Sequence, residues 1–277
     1  MTAVLQASPV QREFAYSRRD FERVKKLLFS QAGINLADSK DAMVYSRLAR
    51  RLRVLNISSF KAYLTFVAQN EEEMEHFINA LTTNLTAFFR EPHHFDALST
   101  YLKANPNVKR IWCAASSTGE EPYSIAMTVA SVFGSFSPKI SILATDIDSK
   151  VLHIAREGVY SQSSIAQLSL QHRQQFFYKG KGKYRGKVKI ANELRQMVRF
   201  EPLNLMSPSW CVEGPVDIIF CRNVMIYFDR QTQQKILSRM VTLMAPNGMY
   251  VAGHSENFTM YPNLVTPMGK TIYRPVT

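Results

Sequence analysis

The stretch IWCAASSTGEEPYSIA, residues 111–126, decides how this chain is read. A strand-like run, Val108–Ala114, gives way to small residues and Gly119, and a helix is expected from about Glu120 to Phe133. Strand, turn and helix in that order place backbone N–H groups and a positive helix end at the carboxyl edge of a sheet. Ala114, Ala115, Ser116 and Gly119 are small enough to let a ligand approach the backbone closely. Neither G-x-G-x-x-G nor a P-loop is present, so the loop does not read as a phosphate cradle.

Downstream, strands and helices keep alternating. Lys139–Ala144 reads as a strand leading to Asp146, and Asp148 as the cap of a helix running to Gly158. Val216–Cys221 is a third strand, Arg230–Met244 a helix, Pro246-Asn247-Gly248 a turn and Met249–Ala252 a fourth strand. This alternation predicts a parallel sheet with helices on both faces. Leu264–Met268 and Thr271–Arg274, around Gly269-Lys270, read as a C-terminal β-hairpin. Phe176–Phe200 breaks the pattern. Glycines 180, 182 and 186 lie among lysines, with short runs at Lys187–Ile190 and Met197–Phe200, so a small antiparallel insertion is expected.

Upstream, the first eighty residues read as helices. Ser17 and Asp20 form a capping pair ahead of Phe21, Val24, Leu27 and Leu28, with Gly33 as the stop. A second helix follows Asp38 or Ser39 and keeps Val44, Leu48, Leu52 and Leu55 on one face. Arg47, Arg50 and Arg53 fall on the opposite arc, with Arg51 at its border. A third helix starts near Ser58, and a fourth opens with Glu71, Glu72 and Glu73.

The 277 residues are 46% hydrophobic and 20% charged, ordinary for a globular protein. No apolar run approaches the ~18–20 residues that cross a bilayer. MTAVLQASPVQREF carries no signal-peptide pattern, and the three cysteines have no paired or metal-type spacing, so a reducing cytoplasm is expected. Cys113 and Cys221 read as buried thiols. The net charge of +12 points to an anionic partner: nucleic acid, acidic lipid or acidic protein. Nine of the basic residues lie between Gln171 and Phe200 against Glu193 alone, and six between Lys40 and Lys61 against Asp41 alone.

Two segments set polar groups among apolar ones: TTNLTAFFRE (82–91), with Asn84, Thr86 and Arg90, and FCRNVMIYF (220–228), with Arg222, Asn223 and Tyr227. Buried, such groups need partners, and their presence marks a site rather than a core. Asp146 ends the second strand, where an acid can accept hydrogen bonds from both hydroxyls of a ribose; a plain turn residue is the other reading. A nucleoside ligand without a pyrophosphate fits the missing phosphate cradle, and S-adenosylmethionine is the common case. Its methyl group is already activated, so the protein must align the reactants and exclude water.

TNLTAFFRE, AASSTGEEPYSIA, ATDID, FCRNVMIYFD and AGHSENF, in this order, resemble the chemotaxis receptor methyltransferases, the CheR family. The likeness spans nearly the whole chain. It implies a Rossmann-like α/β methyltransferase sheet with a C-terminal β-hairpin and a small antiparallel β-insertion, preceded by an all-α domain. The expected bounds are 10–81 for the helical domain, 82–277 for the catalytic domain and about 172–202 for the insertion. The implied reaction moves a methyl group from S-adenosylmethionine to glutamate carboxylates on chemoreceptor cytoplasmic helices. S-adenosylhomocysteine is the other product, and no metal is involved. Matched position by position, the family's cofactor contacts fall on Asn84, Thr86, Arg90, Glu121, Asp146, Asn204, Leu205, Arg222 and Asn223. Arg90 and Tyr227 take the catalytic positions, Arg90 suiting either the cofactor's carboxylate or the substrate's. His254 and Glu256 read better as a loop hydrogen-bond network. Arg47, Arg50, Arg51 and Arg53 would dock an acidic receptor helix, and the insertion would hold a receptor C-terminal peptide by strand addition. A monomer without membrane insertion is expected. A nucleic-acid methyltransferase fits the charge, but the chain shows no RNA-binding module and no N/D-P-P-Y motif. A cofactor-binding regulatory module without transfer activity is the non-enzymatic alternative.

Overall fold

The computed structural model describes residues 12–136 and 139–276. The expected domain start at residue 10 and the stretch MTAVLQASPVQ lie outside them. The chain divides into two compact units, one ending at Leu81 and one beginning at Thr82.

The first unit is helical: α1 (Arg18–Ala32), α2 (Asp41–Leu55), α3 (Phe60–Val67) and α4 (Glu71–Leu81). Local chemistry sets their ends. Ser17 and Asp20 close a reciprocal capping box at α1, and Gly33 ends it with φ 69°. A short 3-10 turn, Asp38–Lys40, leads into α2, which Asn56 ends at φ 53°. Ser59 caps α3 by accepting from the Ala62 N–H. The core is apolar and aromatic, with Phe21, Val44, Leu48, Phe60, Tyr63 and Phe77 fully buried.

The second unit opens with α5 (His93–Ala104), followed by β1 (Arg110–Cys113), α6 (Glu120–Phe133), β2 (Ser141–Asp146), α7 (Ser149–Glu157) and β3 (Val159–Ser161). Next come α8 (Leu170–Phe176), β4 (Phe177–Lys179), β5 (Lys187–Ile190), α9 (Asn192–Met197) and β6 (Val198–Pro202). β7 (Val216–Cys221), α10 (Arg230–Leu243), β8 (Met244–Ala252), β9 (Val265–Gly269) and β10 (Ile272–Pro275) complete it.

Seven strands form one sheet in the order β6-β2-β1-β7-β8-β10-β9. The first five run parallel, and β10 is antiparallel to both neighbours. The strand order reverses beside β1, and ligands of open α/β sheets bind at the carboxyl ends there. Alternate residues of the central strands feed two cores. Ile111, Cys113, Ile218 and Phe220 pack with Leu98, Tyr123 and Ile125, while Trp112, Ile219 and Cys221 pack with Ile236, Leu237 and Met240.

Three expectations change. The insertion is a three-stranded antiparallel sheet, β3-β5-β4, which starts at Val159 rather than near residue 172. Met197–Phe200 does not belong to it: β6 lies parallel to β2 as the edge strand of the large sheet. Pro246-Asn247-Gly248 is a bulge inside β8, because pairing with β7 jumps from Met244 opposite Val216 to Met249 opposite Ile218. Among the described residues no helix is long and apolar enough to cross a membrane. Cys113 and Cys221 are buried and Cys211 is exposed.

Candidate functional site

The loop after β1 extends the sheet's hydrogen bonding in both directions: Ala114 N–H donates to the Phe220 carbonyl and Ser116 N–H to that of Thr145. Ser117 then takes φ 47° and Gly119 φ 99°. Gly119 does not clear space for a ligand, as the sequence suggested. A Cβ there would stand 2.8 Å from the Tyr160 hydroxyl and 2.9 Å from the Ala155 Cβ, so glycine is needed for close packing and for its positive φ.

Asp146 sits beside this loop, 8% exposed. One carboxylate oxygen accepts the Ser117 N–H at 2.8 Å, the other the Asp148 N–H at 3.0 Å. Burial raises the carboxyl pKa to about 6 against the pull of those N–H groups. Each oxygen has a lone pair left for a ligand hydroxyl. The buried Ser116 hydroxyl, which has no hydrogen-bond partner, lies in the same loop. An acid at the end of β2, an unpartnered hydroxyl and a glycine-poor loop fit a ribose without a phosphate.

Asn84 binds the protein rather than facing outward. Its side-chain amide donates to Asp148 Oδ2 at 2.9 Å and its backbone carbonyl accepts the Ser117 hydroxyl at 3.0 Å. Asp148 also caps α7, so one carboxylate joins the 82–90 segment to the β2 corner. Thr86 is half-buried. The Arg90 guanidinium donates to the Leu85 carbonyl at 2.9 Å and stays partly exposed.

Arg222 and Glu121, expected as cofactor contacts, spend their side chains on each other. The Arg222 side chain is fully buried. Nη1 meets Glu121 Oε2 at 2.5 Å; Nη2 donates to the Arg90 carbonyl at 2.6 Å and lies 3.2 Å from Glu91 Oε2. Glu121 also accepts the Cys113 thiol. Arg222 stays charged because Glu121 and Glu91 outweigh its burial. Both residues are thus held rigidly against the loop after β1 and the 82–91 segment.

Asn223 takes φ 58°, a left-handed conformation costing about 1–2 kcal/mol that persists where neighbours fix it. Gly253 packs so closely on it that a Cβ would lie 2.4 Å from the Asn223 amide nitrogen. The buried Glu256 carboxylate accepts four backbone N–H groups, from Asn223, Val224, Met225 and Gly253. That is the loop network expected of Glu256. Tyr227 is half-buried on the following turn, which Gln233 holds by donating to the Met225 and Phe228 carbonyls. Asn204 accepts the Met206 N–H in a tight turn after β6, and Leu205 is buried in the α10-side core.

Glu91 is the residue that sequence reasoning missed. It ends TTNLTAFFRE, and Arg90 drew attention from it. Its carboxylate faces Arg222, the His254 N–H at 3.1 Å and the Asn223 amide at 3.5 Å. Burial opposes its ionisation, but Arg222 and the His254 N–H prevail and hold the carboxyl below its ordinary range. The neighbouring His94 is buried, with a pKa lowered to about 4 by burial and then by Arg222. Its Nε2 lies 3.0 Å from the Lys270 carbonyl, which can only accept, so the proton sits on that nitrogen.

In the first unit the arginine face divides. Arg51 forms a two-pronged pair with Glu73 and is largely buried. Arg47 donates to the Ala80 carbonyl, Arg53 pairs with Glu13, and Arg50 is exposed.

A parallel sheet with this strand order, ending in an antiparallel hairpin, and an acid beside a glycine-poor loop at its carboxyl edge define an S-adenosylmethionine-dependent methyltransferase. Residues 84–274 match the CheR methyltransferase SAM-binding domain and residues 19–82 its all-alpha domain. The chain belongs to the CheR methyltransferase family. It is 49% identical over 273 residues to chemotaxis protein methyltransferase 2 of Pseudomonas aeruginosa, covering 97% of this chain and 98% of that one. It is 48% identical over 261 residues to the chemotaxis protein methyltransferases of Escherichia coli and of Salmonella typhimurium, covering 94% of this chain and 91% of each.

Proposed function

We propose that this enzyme methylates glutamate side chains on chemoreceptor cytoplasmic helices, giving glutamate 5-O-methyl esters, with S-adenosylhomocysteine as the other product. The observation that carries the proposal is the junction of the 84–91 segment with the end of β7, where Arg222 holds the Arg90 carbonyl and Glu91 meets the Asn223 amide. Bound S-adenosylmethionine supplies a methyl group on a positively charged sulfur. Asp146 would accept its ribose hydroxyls, with Asn204 and Leu205 on the adenine side and Thr86 and Asn223 along its length. Arg90, through its guanidinium, would orient a carboxylate, either the cofactor's or the acceptor's. The Tyr227 hydroxyl would hold the acceptor in line with the methyl group. A glutamate carboxylate is ionised near neutral pH, so it would accept the methyl group, the C–S bonding pair staying with sulfur, without a proton transfer or a general base. The exposed Arg50 face would steer an acidic receptor helix, and the basic β3-β5-β4 sheet would hold a receptor C-terminal peptide along an edge. The enzyme would act as a monomer in the cytoplasm, where such receptor segments lie.

The test is transfer of labelled methyl from S-adenosylmethionine to a receptor cytoplasmic fragment, with release by base as the signature of an ester. Label that stays in the protein after base treatment, or no transfer, overturns the proposal. With saturating cofactor, near-wild-type turnover in both Tyr227→Phe and Arg90→Ala would remove these two residues from the mechanism.

A further inference from the structure

Glu91 has no assigned role, yet it lies where the two walls of the site meet. Both it and Asn223 hold φ 58°, in the left-handed region, and their side chains face each other. The groups that face its carboxylate as donors are Arg222, the His254 N–H and the Asn223 amide, with Arg90 Nε 4.0 Å away. Neutral His94 turns its unprotonated Nδ1 toward Glu91 at 3.5 Å and donates nothing. The carboxylate thus gathers the end of the 82–91 segment, the end of β7 and the 253–256 loop around one anion.

Charge counting separates this role from simple fold stability. Arg222 carries one positive charge and faces two carboxylates, Glu121 at 2.5 Å and Glu91 at 3.2 Å. Glu91, 15% exposed in its side chain, makes the longer of the two contacts and is the one that also reaches the His254 N–H and the Asn223 amide. Its geometry instead fixes Asn223 directly, and Arg90 both by the 4.0 Å approach of its Nε and through the Arg222–Arg90 carbonyl bond.

We infer that Glu91 is a positioning residue for cofactor binding, acting through Asn223 and Arg90 without touching the cofactor. This rests on the assignment of Asn223 and Arg90 to the cofactor, but not on which acceptor is methylated. Glutamine is the informative replacement. It keeps the volume but has one acceptor oxygen, so its NH2 group must meet a donor.

The experiment measures S-adenosylhomocysteine binding by calorimetry on the full chain, with no receptor present. Four proteins are compared: wild type, Glu91→Gln, Asn223→Gly (glycine tolerates the positive φ) and the double variant. Glu91→Gln is expected to weaken binding about tenfold in the wild-type background and no more than about threefold in Asn223→Gly, the non-additivity of residues acting as a unit. Its melting temperature should fall by less than about 4 °C, since Arg222 keeps Glu121. Glu91→Asp, which keeps two acceptor oxygens, should recover part of the affinity. Unchanged affinity in Glu91→Gln overturns the inference. So does an equal loss in both backgrounds, or a loss that appears only with a large fall in melting temperature. If Glu91→Gln does not fold, the same cycle with Glu91→Asp decides by the same criterion. Failure of receptor methylation by the wild type would leave this result standing.

Discussion

Each unit buries an arginine against acid, and the two arrangements differ in what they hold. In the helical unit, Arg51 pairs two-pronged with Glu73, and the Tyr63 hydroxyl donates to Glu73 Oε1 at 2.9 Å. One cation meets one anion, and the pair ties α2, α3 and α4 together. In the catalytic unit, Arg222 meets two acids and a carbonyl, its Nε has no partner, and it ties loop ends. A neutral, satisfied pair between helices reads as architecture. A cluster with an extra charge where loops converge on a sheet edge reads as a device for holding a site.

The sharpest break in that comparison is Arg222→Ala. It leaves the buried Glu121 and the part-buried Glu91 without their cation, and should cost about 3–5 kcal/mol in denaturant unfolding together with essentially all methyl transfer. Arg51's partner offers the contrast. Glu73→Gln should lower the stability of the helical unit by about 3 kcal/mol, yet change S-adenosylhomocysteine affinity less than about twofold. A comparable loss of affinity would erase the distinction between the two clusters.

Asp146 gives the comparison a pH axis. Its folded pKa of about 6 lies above the ordinary carboxyl value, so it takes up a proton as pH falls through 6, well before a solvated carboxyl would. Protonation turns an acceptor into a donor. S-adenosylhomocysteine binding to the wild type should therefore weaken about tenfold between pH 8 and pH 5, whereas Asp146→Asn should show no such step. The smallest effect belongs to the surface of the helical unit. With Arg53 matched by Glu13, Arg50→Glu should raise KM for a receptor fragment about threefold and leave cofactor binding unchanged.

Helices with chemical end signals were legible in the sequence. α6 begins and ends at the expected residues, and α7 lies between its Asp148 cap and Gly158. α5 escaped notice because it follows Pro92 with no side-chain cap, although Phe95, Leu98 and Leu102 carry the helical period. β6 was misassigned because its partner, β2, lies far earlier in the chain, and strand identity depends on pairing rather than on the strand alone. At the site, the residue types were legible but the side-chain directions were not. Asn84 and Arg222 stand out as polar groups in apolar runs, and Glu121 through the family resemblance. Within the protein the Asn84 side chain meets Asp148, and Arg222 and Glu121 meet each other, contacts between segments far apart in the chain. Gly119 misled in the opposite sense, since small size serves packing as readily as binding.

Glu256 has one more consequence. The successive N–H groups of residues 223–225, with that of Gly253, form the kind of concave nest that captures phosphate or sulfate from solution. Here the captured anion is covalently attached to the chain, at an effective concentration of millimolar or more. Inorganic phosphate and the anionic ends of nucleotides must compete with a ligand that never diffuses away, so the loop beside Asn223 stays closed to them.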